Sequence, residues 1–313
     1  MRLAQYVYSD LENTLPKLAV WNRPLGAWID ADIYLDGGDD LDDFDEELSE
    51  DDDFFRMPLS IDDFFTNAVD EEIIEELTQK IENPNADALD LNKIQFLSPF
   101  LWPSKILCVG LNYADHAAEF NDPVPAEPVF FCKANSSLSS HQSPILLPSV
   151  SDQIDYEAEL VVIIGRAGRD IPESEALDYV FGYTCGNDVS CRDWQSGKPA
   201  GQWFLGKSFD SFAPIGPGIV TKDEIPNPNH LAIASRLNGK TMQSSNTSNF
   251  IFPVEKLIAY VSQVMTLKPG DLLFTGTPGG VGMRRNPPVF LKNGDTIEVE
   301  IENIGTLTNP VLG

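Results

Sequence analysis

Short β-rich runs separated by glycine and proline dominate the chain from "KILCVGLNY" onward, and they limit the possible folds most strongly. The clearest are "PVFFCK", "ELVVIIG", "YVFGYTCGNDVS", "DLLFTGTPGGVG" and "DTIEVEIENIGTLTNP". In this part of the chain, helices are predicted chiefly near residues 115–120, 172–179 and 253–265. The last of these, "PVEKLIAYVSQVM", carries its apolar residues on one face, which predicts a helix packed on a sheet. We therefore expect an α+β, β-rich fold.

The first hundred residues differ in composition and predict a small acidic accessory domain of the α+β type. Residues 1–95 hold 26 acidic and 6 basic residues, a balance of −20 in a total of −28. The run 37–53 is so rich in carboxylates that their mutual repulsion predicts a solvated loop. A calcium-binding loop is the alternative, although the central glycine of an EF-hand is missing. "SIDDFFTNAVDEEIIEELTQKIEN" predicts a helix with Ser60 as its N-cap. We expect this domain to span residues 1–100 and a catalytic domain to span 101–313.

Composition argues against several classes of protein. A net charge of −28 and a pI of about 4.2 do not suit phosphate binding, so nucleic acid is not expected as a partner. No apolar run reaches the ~18 residues of a membrane span and no signal core is recognisable, which predicts a cytoplasmic protein without a membrane partner. Four cysteines without a CxxC pair predict neither disulfides nor a thiolate zinc site. "GTPGGVG" leads into "MRRNPP" rather than a helix, which disfavours nucleotide binding.

The stretch "DYEAEL" places two carboxylates at the start of the most apolar strand. On a strand, Glu157 and Glu159 project from one face about 7 Å apart. A single pair of this kind is most often a solvated strand end. Asp188 adds a third carboxylate in the turn "GNDVS", which can direct it back toward the same place. Three oxygen ligands without a nearby histidine or cysteine favour a hard cation, Mg²⁺, with Mn²⁺ or Ca²⁺ as alternatives.

Six motifs occur in the order and spacing of one enzyme family: "VGLNYADHAAE", "DYEAEL", "GNDVSCRDWQ", "LGKSFDSFAPIGP", "TGTPGGVG" and "IGTLTNPV". Over residues 103–311 the chain resembles the fumarylacetoacetate hydrolase family. The resemblance implies the mixed β-roll or sandwich of that family's C-terminal domain, a homodimer, and a divalent metal on Glu157, Glu159 and Asp188. It also implies small-molecule substrates that chelate the metal through a 2-oxo acid or an enolate.

Two further residues, His116 and Glu119, share a face if their segment is helical, so that the carboxylate can orient the imidazole. A histidine that caps a short helix or packs under a loop is the alternative. Under the resemblance, the two look like the dyad that activates a hydrolytic water. His141 and His230 are interpreted as surface residues.

Other polar residues also match family positions. Arg192, Gln195 and Lys207 look like the groups that stabilise a developing oxyanion. The alternatives are an ion pair of Arg192 with Asp193 or a buried carboxylate, and a solvated surface position for Lys207. A further set of residues resembles the substrate contacts of the family: Asn112, Tyr113, Lys133, Thr275, Gly276 and Thr277. For those that lie in turns, ordinary turn chemistry is the alternative.

Three functions follow from these residues. The first is a metal-dependent hydrolase that cleaves a carbon-carbon bond in acylpyruvate or fumarylacetoacetate-like 1,3-dioxo acids. The second is an isomerase or decarboxylase of 2-hydroxy-dienoate or oxaloacetate-type 2-oxo acids, such as 2-hydroxyhepta-2,4-diene-1,7-dioate, which needs enolate stabilisation without a nucleophilic water. The third is a metal-binding assembly protein. The presence of both His116 and Glu119 favours hydrolysis.

Overall fold

The computed structural model describes residues 1–9, 15–36, 56–65, 69–98, 103–115 and 124–313. They form two compact units, Leu3–Gln95 and a larger one made of Met1–Arg2 with Phe96–Gly313. The acidic run 37–53 and the pair His116 and Glu119 lie outside the described residues, so their roles stay predictions. The division into domains 1–100 and 101–313 also stays a prediction. Among the helices of the described ranges, none has the length and apolar character that a membrane crossing requires.

The smaller unit consists of short strands and one α-helix. Its elements are β1 (Arg2–Tyr8), β2 (Lys17–Asn22), β3 (Ala27–Asp30), β4 (Tyr34–Asp36), β5 (Arg56–Pro58), a 3₁₀ turn (Asp62–Phe65), α1 (Glu71–Glu82) and β6 (Ile94–Phe96). Strand β2 pairs antiparallel with both β1 and β3, and β4 pairs antiparallel with β5. This unit is a small α+β structure.

Helix α1 begins later than its sequence predicts. Asp70 is the N-cap, and its Oδ1 accepts a hydrogen bond from the backbone N–H of Ile73 at 3.0 Å. The prediction of Ser60 as the cap is wrong, because Ser60 instead donates from its backbone and its hydroxyl to Asp63, each at 2.7 Å. Two acidic residues in the first turn favour the observed start through the helix dipole.

The larger unit is dominated by strands. They are β7 (Ile106–Gly110), β8 (Val129–Lys133), β9 (Leu138–Ser140), β10 (Ile145–Leu146), β11 (Ile154–Asp155), β12 (Ala158–Ile164), β13 (Val180–Asn187), β14 (Ser190–Cys191), β15 (Ala213–Thr221), β16 (Ala232–Leu237), β17 (Lys240–Asn246), β18 (Leu272–Phe274), β19 (Thr296–Ile301) and β20 (Gly305–Leu312). The helices are α2 (Arg192–Gln195), α3 (Trp203–Lys207) and α4 (Val254–Ser262), with 3₁₀ turns at Asn135–Ser137, Glu173–Tyr179, Lys222–Glu224, Thr247–Asn249 and Gly282–Arg284.

Two mixed sheets form the framework of this unit. In the first, the strands follow the order β15-β13-β12-β18-β7-β8. Strand β12 is antiparallel to β13 and β18, whereas β18 and β7 run parallel. The second sheet has the order β10-β20-β19-β16-β17 and is antiparallel except for the pair of β10 and β20. The predicted α+β, β-rich fold class is confirmed.

Strand β12 is the centre of the core, as the apolar run "LVVIIG" indicates. All seven of its residues are buried. Leu160 and Val162 belong to one cluster with Leu257 of α4 and Val299 of β19, so the core lies between the two sheets and the helix. Each such side chain contributes about 1.5–3 kcal/mol of burial free energy. The strand that carries the acidic residues is therefore firmly fixed.

Candidate active site

Three carboxylates meet where β12 begins and β13 ends. Ala158 pairs with Asn187 in the antiparallel ladder, so Asp188 follows β13 directly beside Glu157. The backbone N–H of Asp188 donates to the carbonyl of Glu157 at 2.9 Å. One carboxylate oxygen from each of Glu157, Glu159 and Asp188 lies within 4.8 Å of the others, and all three residues are buried. The structure thus brings together the predicted metal ligands, as a strand pair of this register requires.

Side chains from two distant segments hold the residue between the two glutamates. The N–H of Ala158 donates to Oε1 of Gln243 at 3.0 Å, and its carbonyl accepts from the Thr277 hydroxyl at 2.9 Å. Gln243 Nε2 also donates to Thr277 Oγ1 at 2.8 Å, which closes the arrangement. Gln243 was not singled out in the sequence, because nothing in "TMQSSN" marks it. It fixes the spacing at which Glu157 and Glu159 leave the strand.

Two buried lysines bind the carboxylates. Lys207 Nζ lies 2.9 Å from Glu157 Oε2 and 2.6 Å from Asp188 Oδ2, so the surface alternative for this lysine is wrong. Burial alone would lower the pKa of Lys207, but the charges of Asp188 and Glu157 outweigh it and raise that pKa. Lys133 binds the other oxygen of Asp188 and donates to the carbonyl of Val189 at 3.2 Å. Its proposed contact with substrate stays a prediction.

Arg192 and Gln195 both lie on the short helix α2, where residues three apart share a face. Arg192 Nη1 lies 2.7 Å from Glu157 Oε1 and donates to Gln195 Oε1 at 3.0 Å. Its Nε donates to Asp155 Oδ2 at 2.8 Å. The alternative of an ion pair with a buried carboxylate is therefore found, with Asp155 and Glu157 rather than Asp193. Because Gln195 Oε1 accepts this bond, its amide NH₂ is the donor that remains for a ligand.

Glu159 differs from the other two carboxylates in its charge environment. Its Oε2 accepts a hydrogen bond from the backbone N–H of Gly276 at 2.7 Å. Among the described residues, no lysine or arginine forms an ion pair with it, whereas Glu157 and Asp188 each have two cationic partners. Burial raises the pKa of Glu159 well above its ordinary value, and Asp188 and Glu157 raise it further. A bound cation would supply the positive charge that this carboxyl lacks.

Several residues predicted to contact substrate are buried, and some of them form hydrogen bonds within the protein. The Asn112 amide is fully buried and donates to the carbonyls of Thr275 and Phe252 at 2.7 and 3.1 Å. Tyr113 is equally buried. The Thr275 hydroxyl donates to the carbonyl of Leu160 at 2.8 Å. Thr277 lines the cavity described next, and for all of these residues contact with substrate stays a prediction.

A cavity of about 250 Å³ opens beside the carboxylates. This volume lies below the ~300–1,000 Å³ of pockets for drug-sized ligands, so it suits a small molecule. Its described walls combine apolar side chains with one anion and three cations, two of which are paired with buried carboxylates. They include Val109, Phe131, Trp203, Met283, Glu157, Gln195, Arg192, Lys207 and Arg284.

The two other histidines differ in exposure. His230 is exposed as predicted, whereas His141 is half-buried. Its Nδ1 accepts from the backbone N–H of Thr308 at 3.1 Å, and its ring meets that of Phe96 edge-on. Burial lowers the pKa of His141 to about 4. His141 is partly shielded because the polar segment around it packs against β20.

A model of the fumarylacetoacetate hydrolase C-terminal domain matches residues 105–312. The match covers both sheets and every described residue of the carboxylate cluster. The chain therefore belongs to the fumarylacetoacetate hydrolase family.

Individual relatives are enzymes with related chemistry. The chain is 49% identical over 228 residues to a mitochondrial oxaloacetate tautomerase of Xenopus laevis, covering 73% of this chain and 72% of that protein. It is similar to the solved fumarylacetoacetate hydrolase of Exiguobacterium antarcticum, with a TM-score of 0.79, 33% identity and coverage of 100% and 99%. It is also similar to the fumarylpyruvate hydrolase of Pseudomonas aeruginosa in complex with Mn²⁺ and pyruvate, with a TM-score of 0.62, 35% identity and coverage of 70% and 91%. These relatives favour an enzyme over an assembly protein.

Proposed function

We propose that this chain is a divalent-metal-dependent tautomerase that interconverts the keto and enol forms of oxaloacetate-type 2-oxo acids. The observation that carries the proposal is the buried carboxylate Glu159, which forms no ion pair with a described lysine or arginine and lies beside Glu157 and Asp188 next to a small cavity. The similarity to an oxaloacetate tautomerase supports the isomerase alternative above the hydrolase that the sequence analysis placed first.

The residues present fit a hard divalent cation. Glu157, Glu159 and Asp188 would hold Mg²⁺ or Mn²⁺, since all three ligands are carboxylate oxygens. Within the described part of this cluster there are four buried carboxylates, Asp155 included, and three buried cations, Lys133, Arg192 and Lys207. When bound, such an ion polarises the 2-oxo group of a substrate and stabilises the enolate oxygen. The Mn²⁺ and pyruvate complex of the Pseudomonas enzyme supports this assignment.

The side chains around the cluster have distinct tasks. Lys207 stays charged because of its two carboxylate partners, and it places an ammonium group on the cavity wall where negative charge develops on the substrate oxygen. Gln195 adds a neutral donor, oriented by Arg192. The apolar wall formed by Val109, Phe131 and Trp203 limits water around the enolate. Enolisation moves one proton from the carbon next to the carbonyl to its oxygen. The role predicted for His116 and Glu119, activation of a hydrolytic water, belongs to the hydrolase candidate.

The proposal is tested by following the enol absorbance of oxaloacetate after dissolution of one tautomer. We expect Mg²⁺ or Mn²⁺ to support a rate above that of the ion alone, and a chelator to remove it. Pyruvate production, measured in the same samples, separates decarboxylation from tautomerisation. Failure of the metal-loaded protein to accelerate the approach to keto–enol equilibrium would overturn the proposal.

Carbon-carbon hydrolysis is the second candidate, supported by the 35% identity to a fumarylpyruvate hydrolase. The same preparation is incubated with fumarylpyruvate and an acylpyruvate, and the release of pyruvate is measured. Faster cleavage of these compounds than tautomerisation of oxaloacetate would reverse the ranking. A homodimer stays a prediction, which sedimentation equilibrium tests.

A further inference from the structure

The cations of the cavity wall fall into two groups. Arg192 and Lys207 are buried and bind carboxylates of the cluster. Arg284 lines the same cavity but belongs to the turn Gly282–Arg284 and is exposed to solvent. The cavity therefore has positive charge beside the carboxylates and again at its outer wall.

A buried carboxylate fixes the turn that carries Arg284. Asp155 Oδ1 accepts from the backbone N–H of Gly282 at 2.7 Å, and Oδ2 accepts from that of Met283 at 3.0 Å. Asp155 is completely buried, and its Oδ2 also accepts from Arg192 Nε at 2.8 Å. One carboxylate thus joins the inner guanidinium to the backbone of the outer turn. Charge-assisted bonds of this kind are among the stronger hydrogen bonds in proteins.

The approach of the turn to Asp155 is as close as a backbone permits. A Cβ at Gly282 would lie 1.9 Å from the carbonyl oxygen of Val289 and 2.6 Å from Asp155 Oδ1. Val289 in turn donates from its N–H to the carbonyl of Gly282 at 3.0 Å. The backbone leading to Arg284 is therefore fixed by buried contacts, although the arginine itself is exposed.

The adjacent arginine has a different role. Arg285 Nε donates to Tyr156 Oη at 3.2 Å, and Nη2 donates to the carbonyl of Met242. These bonds direct Arg285 into the protein framework. Of the pair in "MRRNPP", only Arg284 lines the cavity.

We propose that Arg284 binds the carboxylate of the substrate that is distal to its 2-oxo acid group, so that the site selects dicarboxylic 2-oxo acids. The inference rests on the proposed function, which places the 2-oxo acid end at Glu157, Glu159 and Asp188. Arg284 lines the same small cavity from a fixed turn, and a guanidinium there can bind a second carboxylate of a ligand held at the cluster.

The test compares Arg284→Gln and Arg284→Lys with the wild type in the Mn²⁺-loaded enzyme. We expect Arg284→Gln to raise the KM for oxaloacetate by roughly 10- to 100-fold with kcat nearly unchanged, as for loss of a charged hydrogen bond. Arg284→Lys should restore part of the loss. Inhibition by oxalate, which has the chelating end alone, should not change. Arg169→Gln, at an exposed arginine paired with Asp170, is the matched control and should behave as wild type.

Equal weakening of oxalate and oxaloacetate, or no change in either, would overturn the assignment of Arg284. Equilibrium binding of malate and of lactate to the Mn²⁺-loaded protein separates this result from failure of the proposed function. One outcome is that the wild type lacks tautomerase activity but binds malate more tightly than lactate, and that Arg284→Gln loses this preference. In that case the distal site is supported and the proposed reaction is refuted. If malate and lactate bind Arg284→Gln in the same ratio as the wild type, the distal site is refuted.

Discussion

Lys207 donates to Asp188 across 2.6 Å, and both side chains are almost completely shielded from water. The lysine also binds Glu157, so a single ammonium group separates two carboxylates that would otherwise repel each other. The metal-free protein depends on this cation for the integrity of the site.

Lys207→Met removes the charge and keeps most of the volume. We expect the free energy of unfolding of the metal-free protein to fall by about 3–5 kcal/mol, because a buried ion pair loses one partner. Mn²⁺ should restore part of this loss, since it supplies positive charge to the same carboxylates. Denaturant unfolding with chelator and with Mn²⁺ measures both effects. Lys240→Met, at an exposed lysine, is the control, and equal stability of the two variants would contradict the prediction.

Glu159→Gln removes one proposed metal ligand while leaving an acceptor for the N–H of Gly276. We expect Mn²⁺ affinity to fall by at least about 100-fold, more than the loss of an outer-shell partner causes. In the presence of a chelator, the metal-free variant should be at least as stable as the metal-free wild type, because a buried carboxylate beside two others has been replaced by a neutral amide. Calorimetric titration with Mn²⁺ and unfolding in chelator are the measurements. The exposed Glu173→Gln serves for comparison, and undiminished Mn²⁺ affinity of Glu159→Gln would exclude this ligand.

Gln243→Leu keeps the size of the side chain but removes its bonds to Ala158, Thr277, Ser235 and the carbonyl of Pro278. Buried groups left without partners cost about 1–3 kcal/mol each, so we expect at least ~2 kcal/mol of destabilisation. Mn²⁺ affinity should also fall, because the spacing of Glu157 and Glu159 is no longer fixed. Urea unfolding and Mn²⁺ titration check the two results. Gln263→Leu makes the same change at an exposed position of the chain, and a similar loss there would argue against a special role for Gln243.

His141→Asn tests the pH dependence of stability. Above about pH 6.5 the imidazole is neutral in both states. Between that pH and the folded pKa of about 4, the unfolded chain binds a proton that the folded protein does not, so stability falls as the pH is lowered. The loss from this residue reaches about 3 kcal/mol at most. The substituted asparagine keeps an acceptor for the N–H of Thr308, so we expect the free energy of unfolding of the variant to fall less than that of the wild type between about pH 7 and pH 4.5. Urea unfolding at several pH values measures this, and an equal fall in the two proteins would refute the prediction.

Much of the carboxylate cluster was predictable because it follows from local rules. Alternation along a strand puts Glu157 and Glu159 on one face, and the turn after the next strand of the pair returns Asp188 to the same edge. The same alternation also contains Asp155, two positions before Glu157, so the signal for this residue was present and was not used. The β-rich class and helix α4 followed from the periodicity of apolar residues.

The parts that were not predictable depend on contacts between distant segments. Gln243 reaches Ala158 across 85 positions, and no local pattern distinguishes it from a solvated glutamine. Lys133 was matched to the site by resemblance, but its ion pair with Asp188 arises from the meeting of separate strands. The cap of α1 moved from Ser60 to Asp70 because two short polar residues competed for similar roles.

The contact between Gly282 and Asp155 determines which positions of this cavity wall can be substituted. Residue 282 has no room for a side chain. The side chains of Met283 and Arg284 line the cavity, and the backbone of this turn is held by bonds from backbone N–H groups that any residue except proline can make. Paired libraries at positions 283 and 284 therefore offer a route to altered ligand choice that leaves the carboxylate cluster in place.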